Sequence, residues 1–254
     1  MMQLARDSWW LMRRGLRESL RQPAVEISNI FIPMFFFAVT VGAIGHVAGR
    51  AFGVDNYVGF QMPVAILQGV AGSAGTGGLA TITDIERGYF DKLLLTPAPR
   101  MALLIGRLAA DGVRVMLIST LILVAGLIAG AGMEAGVAGA VLLIIMSGMF
   151  GVAYSGIGLA IAVKTGSPQA AQLGFLLFFP LLFLSPAFAP KSVFSGWLEF
   201  LATINPVTYL LEGMRDLVLT GWDPASLAGA FAAIVGIGAL TLSLSVLALR
   251  ARVA

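Results

Sequence analysis

The sequence predicts an all-α integral membrane protein with six transmembrane helices. Hydrophobic residues make up 58% of the 254 residues and charged residues only 11%, whereas charged residues account for roughly 25% of a typical soluble domain. The mean hydropathy is +0.92. Six runs are long and apolar enough to cross a bilayer, which takes about 20 residues in a helix. They lie at 27–47, 57–83, 102–131, 135–163, 170–189 and 226–249, and we interpret residues 1–254 as a single membrane domain.

Composition also restricts the chemistry of the chain. Cysteine is absent and the single histidine is His46, so the residues needed for disulfides, thiolate metal sites or a Ser-His-Asp triad are missing. We therefore expect no catalytic residue and no metal site, which argues against an enzyme, and we also expect no nucleic-acid partner.

The distribution of basic residues predicts the orientation in the membrane. With six spans, 13 of the 16 basic residues fall on one side, and positive charge collects on the cytoplasmic side of membrane proteins. These residues are Arg6, Arg13, Arg14, Arg17, Arg21, Arg87, Lys92, Arg100, Arg107, Arg114, Lys164, Arg250 and Arg252. Both termini and the loop at 84–100 are therefore expected to be cytoplasmic.

The N-terminal segment, 1–23, has the pattern of an amphipathic helix that lies on the membrane surface. Trp9, Met12, Leu16 and Leu20 share one helical face, and arginines fill the adjoining sector. Pro23 separates this helix from the first span. One interpretation is a lipid anchor, and the other is that the basic face also contacts a cytoplasmic subunit.

Two patterns concern helix packing in the second and third spans. Residues 75–80 match the dinucleotide fingerprint Gly-x-Gly-x-x-Ala, but no strand precedes them and they lie in an apolar run, so we interpret them as a close helix contact. At the start of the third span, the spacing of Arg107, Asp111 and Arg114 allows pairing along one helical face.

The segment 84–100 is the main polar interruption of the chain. It places six charged residues in 17 positions between two apolar spans, together with aromatic and leucine residues. Such a mixture suits specific contacts with a cytoplasmic partner. The alternative is a solvated connector whose charge only sets the topology.

The segment 186–223 follows the fifth span on the outer side. It is too apolar for a free loop, and Pro206 divides it. The pattern predicts two short re-entrant helices that dip into the outer leaflet without crossing it. Glu212 is spaced to pair with Arg215 or Asp216, although an interfacial amphipathic helix explains these charges equally well.

Four of these features together carry a resemblance to a known family. They are the basic helix that ends in Arg21-Gln-Pro23, the 84–100 loop, the turn Leu184-Ser-Pro-Ala-Phe-Ala-Pro190 and the run from Ile204-Asn-Pro-Val-Thr-Tyr209 to Arg215. Over nearly the whole chain, the sequence resembles ATP-binding-cassette (ABC) type-2 exporter permeases. It looks most similar to the daunorubicin and doxorubicin resistance type, which are multidrug exporters.

The resemblance implies a partner that hydrolyses ATP. The sequence contains no Gly-x-x-x-x-Gly-Lys-Ser/Thr loop, so ATP and Mg²⁺ are expected to bind a separate ATPase subunit. The family arrangement implies two copies of this ATPase and two permease chains. We expect the two permease chains to form a homodimer in contact with membrane lipids. The 84–100 loop then corresponds to the family's coupling helix, which seats in the ATPase. The residues implied are Asp84, Glu86, Arg87, Gly88, Tyr89, Phe90, Asp91, Lys92, Leu93, Leu94, Thr96, Pro97 and Arg100.

The resemblance also implies where cargo passes. In this family the second and fifth spans line the gap between two permeases. The side chains that would line it here are Gln61, Gln68, Phe175, Phe178, Phe179 and Phe183, and the outer gate would comprise Asn205, Pro206, Tyr209, Glu212 and Arg215. The alternative is that the phenylalanines face lipid or fill the dimer contact.

The expected function is therefore the permease subunit of an ATP-driven exporter. It would move a hydrophobic or amphipathic, drug-like or lipid-like compound outward across a bacterial cytoplasmic membrane. Export of a lipid-linked polysaccharide by the same architecture is one alternative. An ion-coupled secondary transporter is another, although Glu26 and Asp111 lie only near span ends.

Overall fold

The computed structural model describes residues 2–96 and 99–253, and these residues form helices joined by short turns, with no β-strand among them. The prediction of an all-α protein is confirmed. The helices are α1 (Met2–Leu20), α2 (Pro23–Phe52), α3 (Tyr57–Glu86), α4 (Tyr89–Leu94), α5 (Arg100–Ile128), α6 (Gly136–Thr165), α7 (Pro168–Ala171), α8 (Leu173–Leu176), α9 (Phe178–Phe183), α10 (Gly196–Ile204), α11 (Pro206–Leu219) and α12 (Pro224–Val253).

Within the described ranges, four helices are long and apolar enough to cross a membrane. They are Pro23–Phe52, Met101–Ile128, Gly136–Thr165 and Pro224–Ala251. These helices contain the first, third, fourth and sixth predicted spans or most of each. The second predicted span lies in α3, a helix of 30 residues. The total of six spans stays a prediction.

Two predicted spans end earlier in the structure than in the sequence pattern. The third was expected to reach Ala131, but α5 ends at Ile128 because Gly130 and Gly132 adopt φ angles of 94° and 73°, which a helix cannot continue. The fifth was expected to run from 170 to 189, but the structure has three short helices that end at Phe183. Pro180 has no N–H to donate, which weakens the helix there.

The centre of the bundle is α6, which packs against α3, α5 and α12. Its small residues allow this approach. A Cβ atom on Gly151 would lie 2.7 Å from Val115 of α5, and one on Gly156 would lie 2.7 Å from Thr241 of α12. Ser245 of α12 donates a hydrogen bond of 2.8 Å to the carbonyl of Gly156. Close backbone approach and hydroxyl bonds are how apolar helices associate without water.

The N-terminal helix α1 lies along the first half of α5. Gly106 of α5 faces Leu11 and Ser8 of α1, and a Cβ atom on Gly106 would come within 2.6 Å of Leu11. On another face of α1, Trp9 and Leu20 are 59% and 78% exposed. The helix is therefore docked on the bundle by one face and presents apolar side chains outward on another.

After α9, the chain forms a 3₁₀ turn at Lys191–Val193 and then α10 and α11, which meet at Asn205. Asn205 caps α11 by accepting a bond of 3.0 Å from the amide of Val207, and its side-chain amide donates to the carbonyl of Leu181. Two helices divided at Pro206 were expected from the sequence. Their depth in the membrane stays a prediction.

The contact expected for residues 75–80 is found at Gly77. It is buried in α3, and a Cβ atom there would overlap the carboxylate of Asp111 in α5. We expect Gly77→Ala to lower the free energy of unfolding by about 1–3 kcal/mol, because it overpacks this contact. The measurement is the thermal midpoint of the purified chain in detergent.

The matched control is Gly42→Ala in α2. Gly42 is exposed and a Cβ atom there meets nothing within 4 Å, so only the better helix propensity of alanine acts. Equal midpoints for the two variants would contradict the assignment of Gly77 as a packing residue.

Candidate functional site

A cluster of charged side chains lies where α1, α3 and α5 meet. Asp84, at the end of α3, is only 6% exposed. Both of its oxygens accept from Arg14 of α1, at 2.6 and 3.1 Å, and one also accepts from Arg107 of α5 at 3.2 Å. Two guanidinium groups therefore compensate one buried carboxylate, which is the condition for burying it at low cost.

This cluster reaches the coupling segment through Arg14. The guanidinium carbon of Arg14 lies 3.9 Å from the centre of the Tyr89 ring, and Tyr89 is the first residue of α4. The hydrogen bond to Asp84 raises the pKa of Arg14, so its charge is secure. Arg14 thus contacts α3 and α4 at once, by an ion pair and by a cation–π contact.

A second cluster surrounds Arg114 of α5. One of its nitrogens donates to Glu26 of α2 at 2.6 Å and to Thr76 of α3 at 2.8 Å, while the other donates to Asp111 at 3.1 Å. Glu26 also accepts from Ser19 of α1 at 2.6 Å. Of the pairing that the sequence allowed along α5, Arg114 with Asp111 forms, whereas Arg107 pairs with Asp84 instead.

The predicted coupling residues whose side chains are described divide into exposed and half-buried positions, apart from the buried Asp84. Glu86, Arg87, Lys92 and Thr96 are exposed, whereas Gly88, Tyr89 and Leu93 are half-buried. Gly88 has a φ angle of 66°, the left-handed conformation that allows the chain to turn between α3 and α4. Asp84 is used inside the chain, so its carboxylate is a support for this turn rather than an open surface.

Several predicted coupling residues cannot be placed. The described part of the chain does not include Pro97, nor does it include the side chains of Phe90, Asp91, Leu94 and Arg100. Their roles stay predictions.

A cleft of about 250 Å³ opens between α2, α3 and the stretch 172–179, which includes α8 and the start of α9. Three of the predicted pathway residues line it, namely Gln68, Phe175 and Phe179. The other three do not: Gln61 and Phe178 are buried in the bundle, where Phe178 packs on Phe150 and Tyr154, and Phe183 is exposed. The structure therefore brings together half of the predicted set.

The cleft also contains residues of α2 that the sequence reasoning missed. Asn29, Ser28 and Phe36 line it opposite Gln68. The Nδ2 atom of Asn29 and the Oε1 atom of Gln68 are both buried without a hydrogen-bond partner. The signal in the sequence that could have identified the two polar residues is the pair Ser28-Asn29 at the start of an apolar run. An unpaired donor and an unpaired acceptor at a cleft suit a polar ligand atom.

At the other end of the bundle, Arg215 is buried and 6% exposed. It donates to the carbonyls of Phe60 at 3.0 Å and Ala187 at 3.1 Å, and its guanidinium lies 3.5 Å from the centre of the Phe60 ring. The pairing with Glu212 that the spacing allowed does not form: among the described residues Arg215 has no ion pair. Its side chain turns into the core instead, where carbonyls accept from it.

The other residues that were predicted to form the outer gate connect helices in the same region. Tyr209 donates to the carbonyl of Thr203 at 2.7 Å, which joins α11 to α10, and Pro206 is the first residue of α11. Glu212 is half-buried. The sequence reasoning missed Tyr57, which donates to the carbonyl of Phe188 at 3.0 Å and fixes the turn after α9 to the start of α3.

Comparisons with known proteins bear on this arrangement. The family model described as ABC-2 type transporter matches residues 6–219. The chain is 26% identical over 197 residues to a daunorubicin resistance ABC transporter permease protein, DrrB1, of Streptomyces coeruleorubidus, which covers 77% of this chain and 69% of that protein. It is 23% identical over 199 residues to a probable doxorubicin resistance ABC transporter permease protein, DrrC, of Mycobacterium tuberculosis, covering 77% and 70% of the two chains.

A third relative comes from a different kind of organism. The chain is 26% identical over 213 residues to the putative transport permease ycf38 of Cyanophora paradoxa, covering 82% of this chain and 72% of that protein. Since the family model matches more than half of the chain, this multi-pass membrane protein belongs to the ABC-2 type transporter family.

Proposed function

We propose that this protein is the permease subunit of an ATP-driven exporter that moves a hydrophobic or amphipathic compound outward across the cytoplasmic membrane. The observation that carries the proposal is the family match over residues 6–219. The names of two relatives, which refer to daunorubicin and doxorubicin resistance, support a drug-like cargo. A cleft lined by amides, hydroxyls and phenylalanines, with no charged side chain among the lining residues described, fits such a cargo better than a sugar phosphate.

The energy would come from a separate ATPase that docks at the turn between α3 and α4. Exposed charges at Glu86, Arg87 and Lys92 supply polar contacts, and the turn is supported from inside by Asp84. A force applied to α4 is carried to α1 through the contact of Tyr89 with Arg14, and to α5 through Asp84 and Arg107. We propose two permease chains, each with six spans, and two ATPase subunits.

The first prediction concerns this docking surface. We expect Glu86→Ala to leave the chain in the membrane but to weaken its association with the ATPase about tenfold or more, because a charge-assisted hydrogen bond contributes roughly 1.5–3 kcal/mol. The measurement is to tag the chain, extract it gently from its native membrane and quantify a phosphate-loop ATPase that co-purifies in about equal amount, together with ATP-dependent efflux.

Its matched control is Glu134→Ala. Glu134 is an exposed carboxylate in the turn between α5 and α6, on the side predicted to face outward. The coupling assignment would be overturned by full ATPase retention and efflux in Glu86→Ala, or by the same loss in both variants. Efflux that persists on an ion gradient without any ATPase would favour the secondary transporter instead.

The second prediction concerns the cleft. Phe179 is half-buried and lies at 5.0 Å, centre to centre, from the ring of Phe175. We expect Phe179→Ala to raise the concentration of a planar aromatic drug needed for half-maximal efflux about tenfold, since an aromatic contact is lost. Gln68→Leu should raise it for cargo with hydroxyl or carbonyl groups and leave purely apolar cargo unaffected.

Phe35→Ala serves as the control for the cleft. Phe35 is 54% exposed and does not line the cleft. Efflux is measured in vesicles that contain the permease and its ATPase. If Phe35→Ala and Phe179→Ala change efflux equally, the phenylalanines face lipid and the pathway lies elsewhere.

The third prediction tests the orientation, in which both termini are cytoplasmic. The chain has no native cysteine, and Thr220 and Gln169 are both exposed. In intact cells, we expect a membrane-impermeant maleimide to label Thr220→Cys, whereas Gln169→Cys should be labelled only in inverted vesicles. The reverse pattern would invert the whole topology, because the two positions lie on opposite sides in the six-span arrangement.

A further inference from the structure

A groove of about 550 Å³ lies on α1 beside the end of α3, and arginines dominate it. Arg13, Arg17 and Arg21 line it from α1 or the residue after it, and Arg87 lines it from the end of α3. Trp10 contributes an aromatic wall, with the guanidinium of Arg13 lying 5.5 Å from the centre of its ring. We call this surface the basic groove.

The positive charge of the basic groove is not balanced inside the chain. Arg13, Arg17, Arg21 and Arg87 are exposed, and within the described residues none of them forms an ion pair. Glu18, a carboxylate among the described lining residues, is within ion-pair distance of Arg14 and Arg107. Arginines spaced four residues apart on a helix repel each other, so a bound anion would stabilise the groove.

The position of the groove on α1 indicates what kind of anion. At 100° per residue, Arg13 and Arg17 lie directly beside the outward-facing Trp9 and Leu20, which are 59% and 78% exposed. A surface where exposed apolar side chains border guanidinium groups matches the boundary between acyl chains and phosphates in a bilayer. An acidic protein surface would need only the charge and would not account for the exposed Trp9 and Leu20.

We infer that the basic groove binds the phosphodiester headgroup of an anionic phospholipid, with its acyl chains along Trp9 and Leu20. Arg17 and Arg21 hold the phosphate, and Arg87 joins them from α3. Because Arg87 also belongs to the turn that faces the proposed ATPase, a bound lipid ties α1 to this turn. The site requires only this chain in a membrane, so it holds whichever cargo is exported and whichever energy source is used.

The experiment measures lipid selectivity of the purified full-length chain. The chain is delipidated in detergent, mixed with equal amounts of phosphatidylglycerol and phosphatidylcholine, and the retained lipids are counted by native mass spectrometry. We expect the wild type to prefer phosphatidylglycerol and the double variant Arg17→Gln/Arg21→Gln to lose that preference about tenfold. Arg17→Lys/Arg21→Lys should keep most of it, which separates loss of charge from loss of folding.

The control variant Arg6→Gln/Arg50→Gln removes the same net charge outside the groove and should keep the preference. The inference is overturned if the wild type has no preference, or if the control loses it equally. It is also overturned if excess inorganic phosphate displaces phosphatidylglycerol, which would indicate a site for free phosphate. The groove would be assigned to the protein partner instead if the Arg17→Gln/Arg21→Gln variant kept the lipid preference but no longer bound the ATPase in phosphatidylcholine nanodiscs.

Discussion

The half of this molecule that is predicted to face the cytoplasm depends on the pairing of Asp84 with Arg14 and Arg107. A carboxylate that is 6% exposed is tolerated only with charged partners, and these partners come from two different helices. The end of α3 is therefore fixed to both α1 and α5. This makes α1 an integral part of the bundle, although its outward-facing tryptophans have the character of a membrane anchor.

The same pairing gives the exposed turn between α3 and α4 its mechanical role in the proposed cycle. Two and three residues after Asp84, the side chains of Glu86 and Arg87 are exposed, so the polypeptide changes within one helical turn from internal support to open surface. Tyr89 then returns to rest on Arg14. A partner that moves this turn has to move α1 and α5 as well, because separating them would leave Asp84 buried without compensation.

Sequence patterns were sufficient for local structure but not for long-range pairing. Apolar length predicted the helices that contain four of the six predicted spans or most of each, and Pro206 marked the division between α10 and α11. The spacing along α5 predicted the pair of Asp111 and Arg114, because helical neighbours are fixed by geometry. Arg14 and Asp84 are 70 residues apart, and Arg114 and Glu26 are 88 apart. Their pairing depends on how the helices pack, which no local spacing contains.

The cleft is a second case in which local sequence spacing did not predict the neighbours of a side chain. Gln61 and Gln68 are seven residues apart and share a helical face, yet only Gln68 reaches the cleft. Gln61 is buried instead, and Asn29, which lies with Gln68 at the cleft, comes from a different helix, α2. A helical wheel identifies a face of one helix, whereas a binding site is defined by the neighbouring helices as well.

Buried charges are compensated by different groups at the two ends of the bundle. This difference affects which end would open more easily during export. At the end predicted to be cytoplasmic, carboxylates and guanidinium groups compensate one another across α1, α2, α3 and α5. At the end predicted to face outward, the contacts of Arg215 within the described residues are with the carbonyls of Phe60 and Ala187 and with the Phe60 ring. Carbonyl dipoles compensate a guanidinium less fully than a carboxylate does, and water can replace them without leaving a second charge unpaired. In the proposed cycle, α11 therefore separates from α3 at Arg215 more readily than α1 separates from Asp84. The end that contacts the ATPase then moves as a rigid unit, and the opposite end opens.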